Sequence, residues 1–286
     1  MLRRRGTSLG ELLVALALGS IVLATATSSM LRQQRTALSV DAQVRDRAQL
    51  RPALSLLHAQ LSLSDGATGD LVAGEASDTA LQFRAVVAAG LACAPELGAV
   101  TLPLDDDGEM TRAGVQSLPR AGDTLWWYDV RASRWQGRAL TSVTARRSPC
   151  NGANPPASGG TTLRMRLSDP DSIPALAPVR ITRPLRYAFY RSSDGSWQLG
   201  LREWSEALRQ LSAPQPVAGP FARAQSSGVR SGFRYFDTRG LELHPDLDAG
   251  TGARVARVRL VALSLPRAGA NAGADSVDVV LRGAVP

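Results

Sequence analysis

Glu11 stands at the mouth of an apolar run that extends from Leu12 to Ala26. A run of that length must cross a membrane or be covered by other apolar helices. A carboxylate within hydrocarbon costs roughly 2.5–3.5 kcal/mol even on lenient insertion scales, so such a residue usually has a partner and a task. Arg3, Arg4 and Arg5 precede the run. They are expected to stay cytoplasmic by the positive-inside rule, leaving the rest of the chain outside.

Several readings fit this N-terminus. Gly6-Thr7-Ser8-Leu9-Gly10 matches the G-x-S-x-G elbow of hydrolases, but that motif needs a preceding strand, and here only a basic leader precedes it. A secretory signal would use Arg3 to Arg5 as its n-region, Leu12 to Leu23 as its h-region and Ala24-Thr25-Ala26 as the cleavage site. A plain single-pass anchor is a third reading. Against the secretory signal stand Glu11 at the start of the apolar run and a helical pattern that continues past Ala26.

The fourth reading rests on spacing. A basic tripeptide, Gly6, four residues, Glu11 and then Leu12-Leu13-Val14-Ala15-Leu16 resembles the prepilin-type cleavage and methylation signal of type IV pilin-like proteins. Gly6 matches the residue before the cut, and Leu9, Glu11 and Leu12 to Leu16 match residues after it. Thr7 departs from the usual Phe, and Gly10 from a branched apolar residue. The resemblance implies cleavage after Gly6 by a prepilin peptidase, a new amino terminus at Thr7, and Glu11 neutralising the amine of a neighbouring subunit. The chemistry is sound, because a carboxylate and an ammonium each pay heavily alone in hydrocarbon and less when paired.

Beyond Ala26 the chain turns polar but keeps a helical period. Val40, Val44, Ala48, Leu54, Leu57 and Leu61 fall near one face, with Arg32, Arg35, Asp41 and Arg45 mostly off it. Pro52 should kink or split the helix near Arg51. The expected organisation is a leader over 1–6, a membrane or filament-core helix over 7–31, an amphipathic helix over 32–63 packed on the head, and a mostly β head over 64–286.

The head is read from short apolar runs between turns. Strands are predicted at Ala80–Val87, Thr124–Val130, Ser133–Val143, Thr162–Leu167, Arg186–Arg191, Trp197–Arg202, Gly232–Asp237, Val255–Leu265 and Ser276–Leu281. Asp194-Gly195 supplies the positive φ of a tight hairpin between Tyr187–Tyr190 and Trp197–Leu201. Pro149–Gly160 and Pro266–Ala274 read as surface loops. The fold class is therefore α+β, a long N-terminal helix against antiparallel sheet. The second half, with Tyr187-Ala188-Phe189-Tyr190, Asp194-Gly195, Trp197 and then Gly232-Phe233-Arg234-Tyr235-Phe236-Asp237, is similar to the larger minor pilins of the PilW type and to the J-type minor pseudopilin of type II secretion. That similarity implies a lollipop shape, a place near a filament tip or in priming assembly, and partners among other minor subunits, the major subunit and the inner membrane.

Two cysteines, Cys93 and Cys150, lack the spacing of a zinc or redox motif and could form one disulfide in an oxidising compartment. The formal net charge is +8, and every basic residue is Arg. Arg131, Arg134, Arg138, Arg146 and Arg147 cluster in sequence, as do Arg180, Arg183, Arg186 and Arg191. A basic stripe can hold nucleic acid, but acids are interleaved with these arginines, so a solvated face is the favoured reading over DNA binding. His58 and His244 are the only histidines, and neither adjoins a nucleophile in sequence. Asp105-Asp106-Asp107-Gly108-Glu109 lacks the spaced ligands of a calcium loop. The absence of Lys removes P-loop and Schiff-base chemistry. No enzyme activity, metal or cofactor is expected.

Overall fold

The computed structural model describes residues 9–66, 68–93, 96–103, 114–115, 117–147, 161–224, 228–263, 265 and 274–282. Gly6, Thr7, Cys150, the acidic run Asp105–Glu109 and the loops expected at Pro149–Gly160 and 266–273 lie outside them. The chain is α+β: one long helix, then a body dominated by antiparallel sheet.

Helix α1 spans Leu9–Leu61, 53 residues, or about 80 Å at 1.5 Å per residue. It runs through Pro52 without interruption, so the expected split does not occur. The carbonyl that Pro52 leaves unbonded belongs to Ala48, an exposed residue, where water can satisfy it. The expectation that the whole amphipathic half packs on the head also needs correction. Val40 and Val44 are 52% and 60% exposed. Among the described side chains only those of the last turns are seated, with Leu57 and Leu61 fully buried and Leu54 and Leu56 packed beside them.

The strands are β1 (Ala80–Leu91), β2 (Ala99–Pro103), β3 (Gly114–Val115), β4 (Thr124–Asp129), β5 (Arg134–Arg147), β6 (Thr161–Leu167), β7 (Pro178–Arg191), β8 (Trp197–Ser205), β9 (Gln210–Leu211), β10 (Gln215–Phe221), β11 (Gly232–Phe236), β12 (Glu242–Leu243), β13 (Arg257–Leu263) and β14 (Ala274–Val280). A one-turn helix, α2 (Ala249–Gly252), precedes β13. Strands β1 to β10 form one sheet, and β12-β11-β13-β14 form a second.

β7 is the axis of the large sheet. One edge pairs with β1, from Ala80↔Ala188 to Leu91↔Pro178. The other edge is shared. β4 takes its first half, from Trp127↔Val179 to Thr124↔Thr182, and β8 takes its second, from Leu185↔Glu203 to Arg191↔Trp197. The fork between β4 and β8 falls at Arg183 and Pro184, and Pro184 has no N–H to offer a ladder.

Two hydrophobic cores lie on either side of that fork. The first gathers Leu57 and Leu61 of α1, Phe83 of β1, Leu185, Tyr187 and Phe189 of β7, and Phe233, Tyr235, Val258 and Leu260 of the second sheet. Alternation along β7 sends 185, 187 and 189 to one face, as a pleated strand requires. The second core holds Val100 and Leu102 of β2, Leu125 and Trp127 of β4, Leu140 of β5, Met165 of β6, and Val179 and Ile181 of β7. Between them sits Arg183, 8% exposed, with Asp123 at 1%. Arg183 Nε donates to Asp123 Oδ1 at 2.8 Å, and Nη2 donates to Asp123 Oδ2 at 2.9 Å and to the Leu118 carbonyl at 3.0 Å. Asp123 Oδ2 also accepts from the Arg120 backbone N–H at 2.9 Å.

At the β7–β8 hairpin, Gly195 has φ +84°, as its Asp-Gly sequence predicts. Asp194 Oδ1 accepts from the Ser196 N–H and hydroxyl at 2.9 and 2.8 Å, and the carboxylate also takes the Ser192 hydroxyl at 2.5 Å.

Removing one member of the buried pair strands its partner's charge. Asp123→Ala is therefore expected to destabilise the chain by about 3–5 kcal/mol, read by denaturant unfolding in detergent micelles. The double change Asp123→Leu with Arg183→Met should cost less than either single change. The Ser192 hydroxyl, the Ser196 N–H and the Ser196 hydroxyl lower the Asp194 pKa from 3.8 to about 2. A carboxyl with a depressed folded pKa contributes stability above its unfolded value and loses it as pH falls through the folded one. The hairpin contribution should thus be complete above pH 3.8 and fade toward about 2, and an NMR titration of the Asp194 carboxyl checks the midpoint.

Candidate functional site: the exposed N-terminal helix

The least protein-like surface of this chain is the first half of α1. Leu12–Leu38, 27 residues, is long and apolar enough to cross a membrane, and none of its most apolar stretch is buried against the body. The span outlasts the 7–31 segment expected from the sequence and runs on to Leu38. At 1.5 Å per residue it covers about 40 Å, against a hydrocarbon core of about 30 Å. Leu12, Leu13, Leu16, Leu18, Ile21, Val22 and Leu23 are all more than half exposed. Burying each such side chain is worth about 1.5–3 kcal/mol, so a continuous bare stripe of them calls for apolar cover.

Several hydroxyls within the span bond back to the helix backbone. The Ser20 hydroxyl donates to the Ala17 carbonyl at 2.8 Å, Thr25 to Val22 at 2.8 Å, Thr27 to Leu23 at 2.8 Å and Ser28 to Thr25 at 2.9 Å. Each bond reaches back three or four residues, within reach on a helix. These four hydroxyls therefore carry no unmet donor into an apolar medium, which is what a hydrocarbon environment demands. Ser and Thr spaced among Leu and Val are visible in the sequence, and on a helix each hydroxyl can reach the carbonyl three or four residues back.

Glu11 is the third residue of the helix, which starts at Leu9. The helix then passes straight through Ala24-Thr25-Ala26 and on to Leu61. At the far end, the Tyr187 hydroxyl donates to Gln60 Oε1 at 2.8 Å. Burial pushes the Tyr187 phenol far up, so it stays a neutral donor. This bond ties the shaft to β7, while Leu57 and Leu61 anchor it in the first core, where α1 packs against β10, β14 and β1.

The other singled-out residues are dispersed. Cys93 is buried and disulfide-bonded. His58 is exposed, and His244 is an exposed loop residue near Asp246. Arg180 pairs with Asp70 at 2.9 Å, Arg183 with Asp123, and Arg186 with Glu75, so three of the four arginines in that cluster carry their own acids. Arg138 pairs with Asp171 at 2.6 Å. Among the described residues no group of His, Cys, Asp and Glu is placed to hold a metal. No family model matches this chain, and neither a curated protein nor a solved structure matches it.

If the span inserts in a bilayer, Val22→Arg near its middle should weaken insertion by roughly 3 kcal/mol. Alkaline extraction of membranes should then release more of the variant than of the unmodified chain, with Val22→Leu as the unchanged control.

Proposed function

We propose that this chain is a minor pilin or pseudopilin, a non-enzymatic subunit of a type IV pilus or a type II secretion pseudopilus. It is made as a single-pass inner-membrane precursor with Arg3 to Arg5 in the cytoplasm and the body outside. A prepilin peptidase cuts after Gly6. Thr7 becomes the amino terminus, and Glu11 then stands five residues into the mature chain. Extracted from the bilayer, the apolar half of α1 bundles with the helices of other subunits, and Glu11 meets a neighbour's terminal amine. The large body stands near the filament tip, where it primes assembly or meets cargo.

One observation carries this reading: the bare apolar span is the first half of a single helix whose last turns are built into the core of the body. A signal peptide is discarded, whereas here the segment and the folded body share one element. The Gly6–Glu11 spacing adds a processing site at the right place. The bonded state of Cys93 fits a body held outside the reducing cytoplasm, and Cys150 is the one other cysteine that the chain offers for it.

The mature N-terminus decides the matter. Thr7, N-methylated or not, supports processing as a prepilin. Thr27 would instead make the chain a secreted binding protein with an ordinary export signal, and Met1 a plain anchored one. Gly6→Val should abolish the cut. Glu11→Ala should leave the chain inserted and cleaved but incorporated into filaments at a small fraction of the normal level. Normal incorporation of that variant would remove the assembly role.

A further inference from the structure

A cleft of about 520 Å³ opens beside the end of α1, lined by Asp65, Asp237, Arg239, Arg254, Val255 and Arg282 among others. Four chain segments meet there in a row. The Ala256 N–H donates to the Phe236 carbonyl at 2.8 Å, Leu281 to Ala256 at 2.9 Å, and Arg282 to Ser64 at 3.0 Å. This row brings residues distant in sequence to one margin of the second sheet. Val255 and Ala256 are buried, while Arg239, Arg254 and Arg282 stand exposed around the cleft.

The acids of the cleft are already engaged. Asp237 is nearly buried, and its Oδ1 accepts the backbone N–H groups of Arg239 and Leu241, both at 2.9 Å. Its Oδ2 lies 3.6 Å from Arg254 Nη2. The Leu241 N–H above all holds the Asp237 carboxyl below its usual range, so it is ionised at neutral pH. Asp65 has an interaction of its own. Arg239 and Arg282 form no ion pair with another described residue. Three guanidiniums thus face two carboxylates, an excess of one positive charge, and Arg239 and Arg282, the two without a direct ion pair, belong to different segments brought to the same cleft.

We propose that this cleft binds an oxyanion, a carboxylate or phosphate group, held by Arg239 and Arg282. Guanidinium presents parallel N–H donors that match either group in two-point fashion. A lipid headgroup is a poor source. The apolar span ends at Leu38, and α1 continues to Leu61, about 35 Å further along its axis. The headgroup layer is only about 5–8 Å deep on each side of the hydrocarbon. The remaining sources are a soluble phosphate and an acidic side chain of a protein partner. The cleft belongs to the body alone and does not require that the chain form a filament.

The full chain in detergent micelles is titrated calorimetrically with inorganic phosphate and, separately, with sodium acetate at constant ionic strength. Saturable binding is expected. Arg239→Gln and Arg282→Gln, exposed changes that should leave the thermal unfolding curve in place, should each weaken it about tenfold or more. Arg134→Gln, an exposed arginine of β5 near the other core, should not. Preference for phosphate assigns a soluble ligand, and preference for acetate an acidic partner side chain. Absence of saturable heat with both probes, or an equal loss in Arg134→Gln, overturns the proposal.

Discussion

Arg183 brings a positive charge to a point where β4 and β8 part from the edge of β7, with a hydrophobic core on each side. Charge at such a place is tolerable only when paired and hydrogen-bonded. Asp123 meets the guanidinium with both oxygens, the Leu118 carbonyl takes a third contact, and the Arg120 N–H completes the carboxylate. The same loop then reaches the opposite prong of the fork. Arg120 Nη2 donates to Glu203 at 2.9 Å and to the Trp204 carbonyl at 3.0 Å. One polar knot therefore fixes β4, β7 and β8 relative to one another, and each core is shaped against that frame.

The helix obeys a different constraint. Its last turns are cemented by Leu57, Leu61 and the Gln60–Tyr187 bond, whereas its first half has nothing of its own chain to lie against. Local hydrogen bonding prepares the bare half for an apolar medium, since its hydroxyls turn back on the backbone. Between the two lies a stretch with Val40 and Val44 exposed. Helical period alone showed that these residues share a face, but period does not say what covers a face.

Much of the sheet was legible from alternation and turn chemistry. β1, β4, β5, β6, β8, β11, β13 and β14 stand close to where apolar runs between turns placed them, and the Asp194-Gly195 hairpin lies where expected. The first half of β7 was missed because Pro178 and Pro184 interrupt it, and β10 because Pro216, Gly219 and Pro220 do. Such residues argue against a strand locally, and tertiary pairing overrides them here. β2 is too short and too near a proline to announce itself. The apolar span was legible as far as Leu31, because its signal is length and composition, but its continuation to Leu38 was not. The cleft at Asp237 was not. It is made by Arg239, Arg254 and Arg282, whose proximity depends on backbone pairing across Phe236, Ala256 and Leu281, and sequence spacing carries no trace of that.

The narrow attachment of so long a shaft also has a mechanical side. Among the described residues α1 is seated in the core by its closing turns alone, so tension applied at the N-terminus enters the body there. The load passes to the strands packed on those turns, chiefly β10 and β14, then β1, and through Gln60 to Tyr187 of β7. β10 and β14 each stand at the end of a sheet. A pull on the shaft therefore reaches both sheets at once, through an outer strand of each.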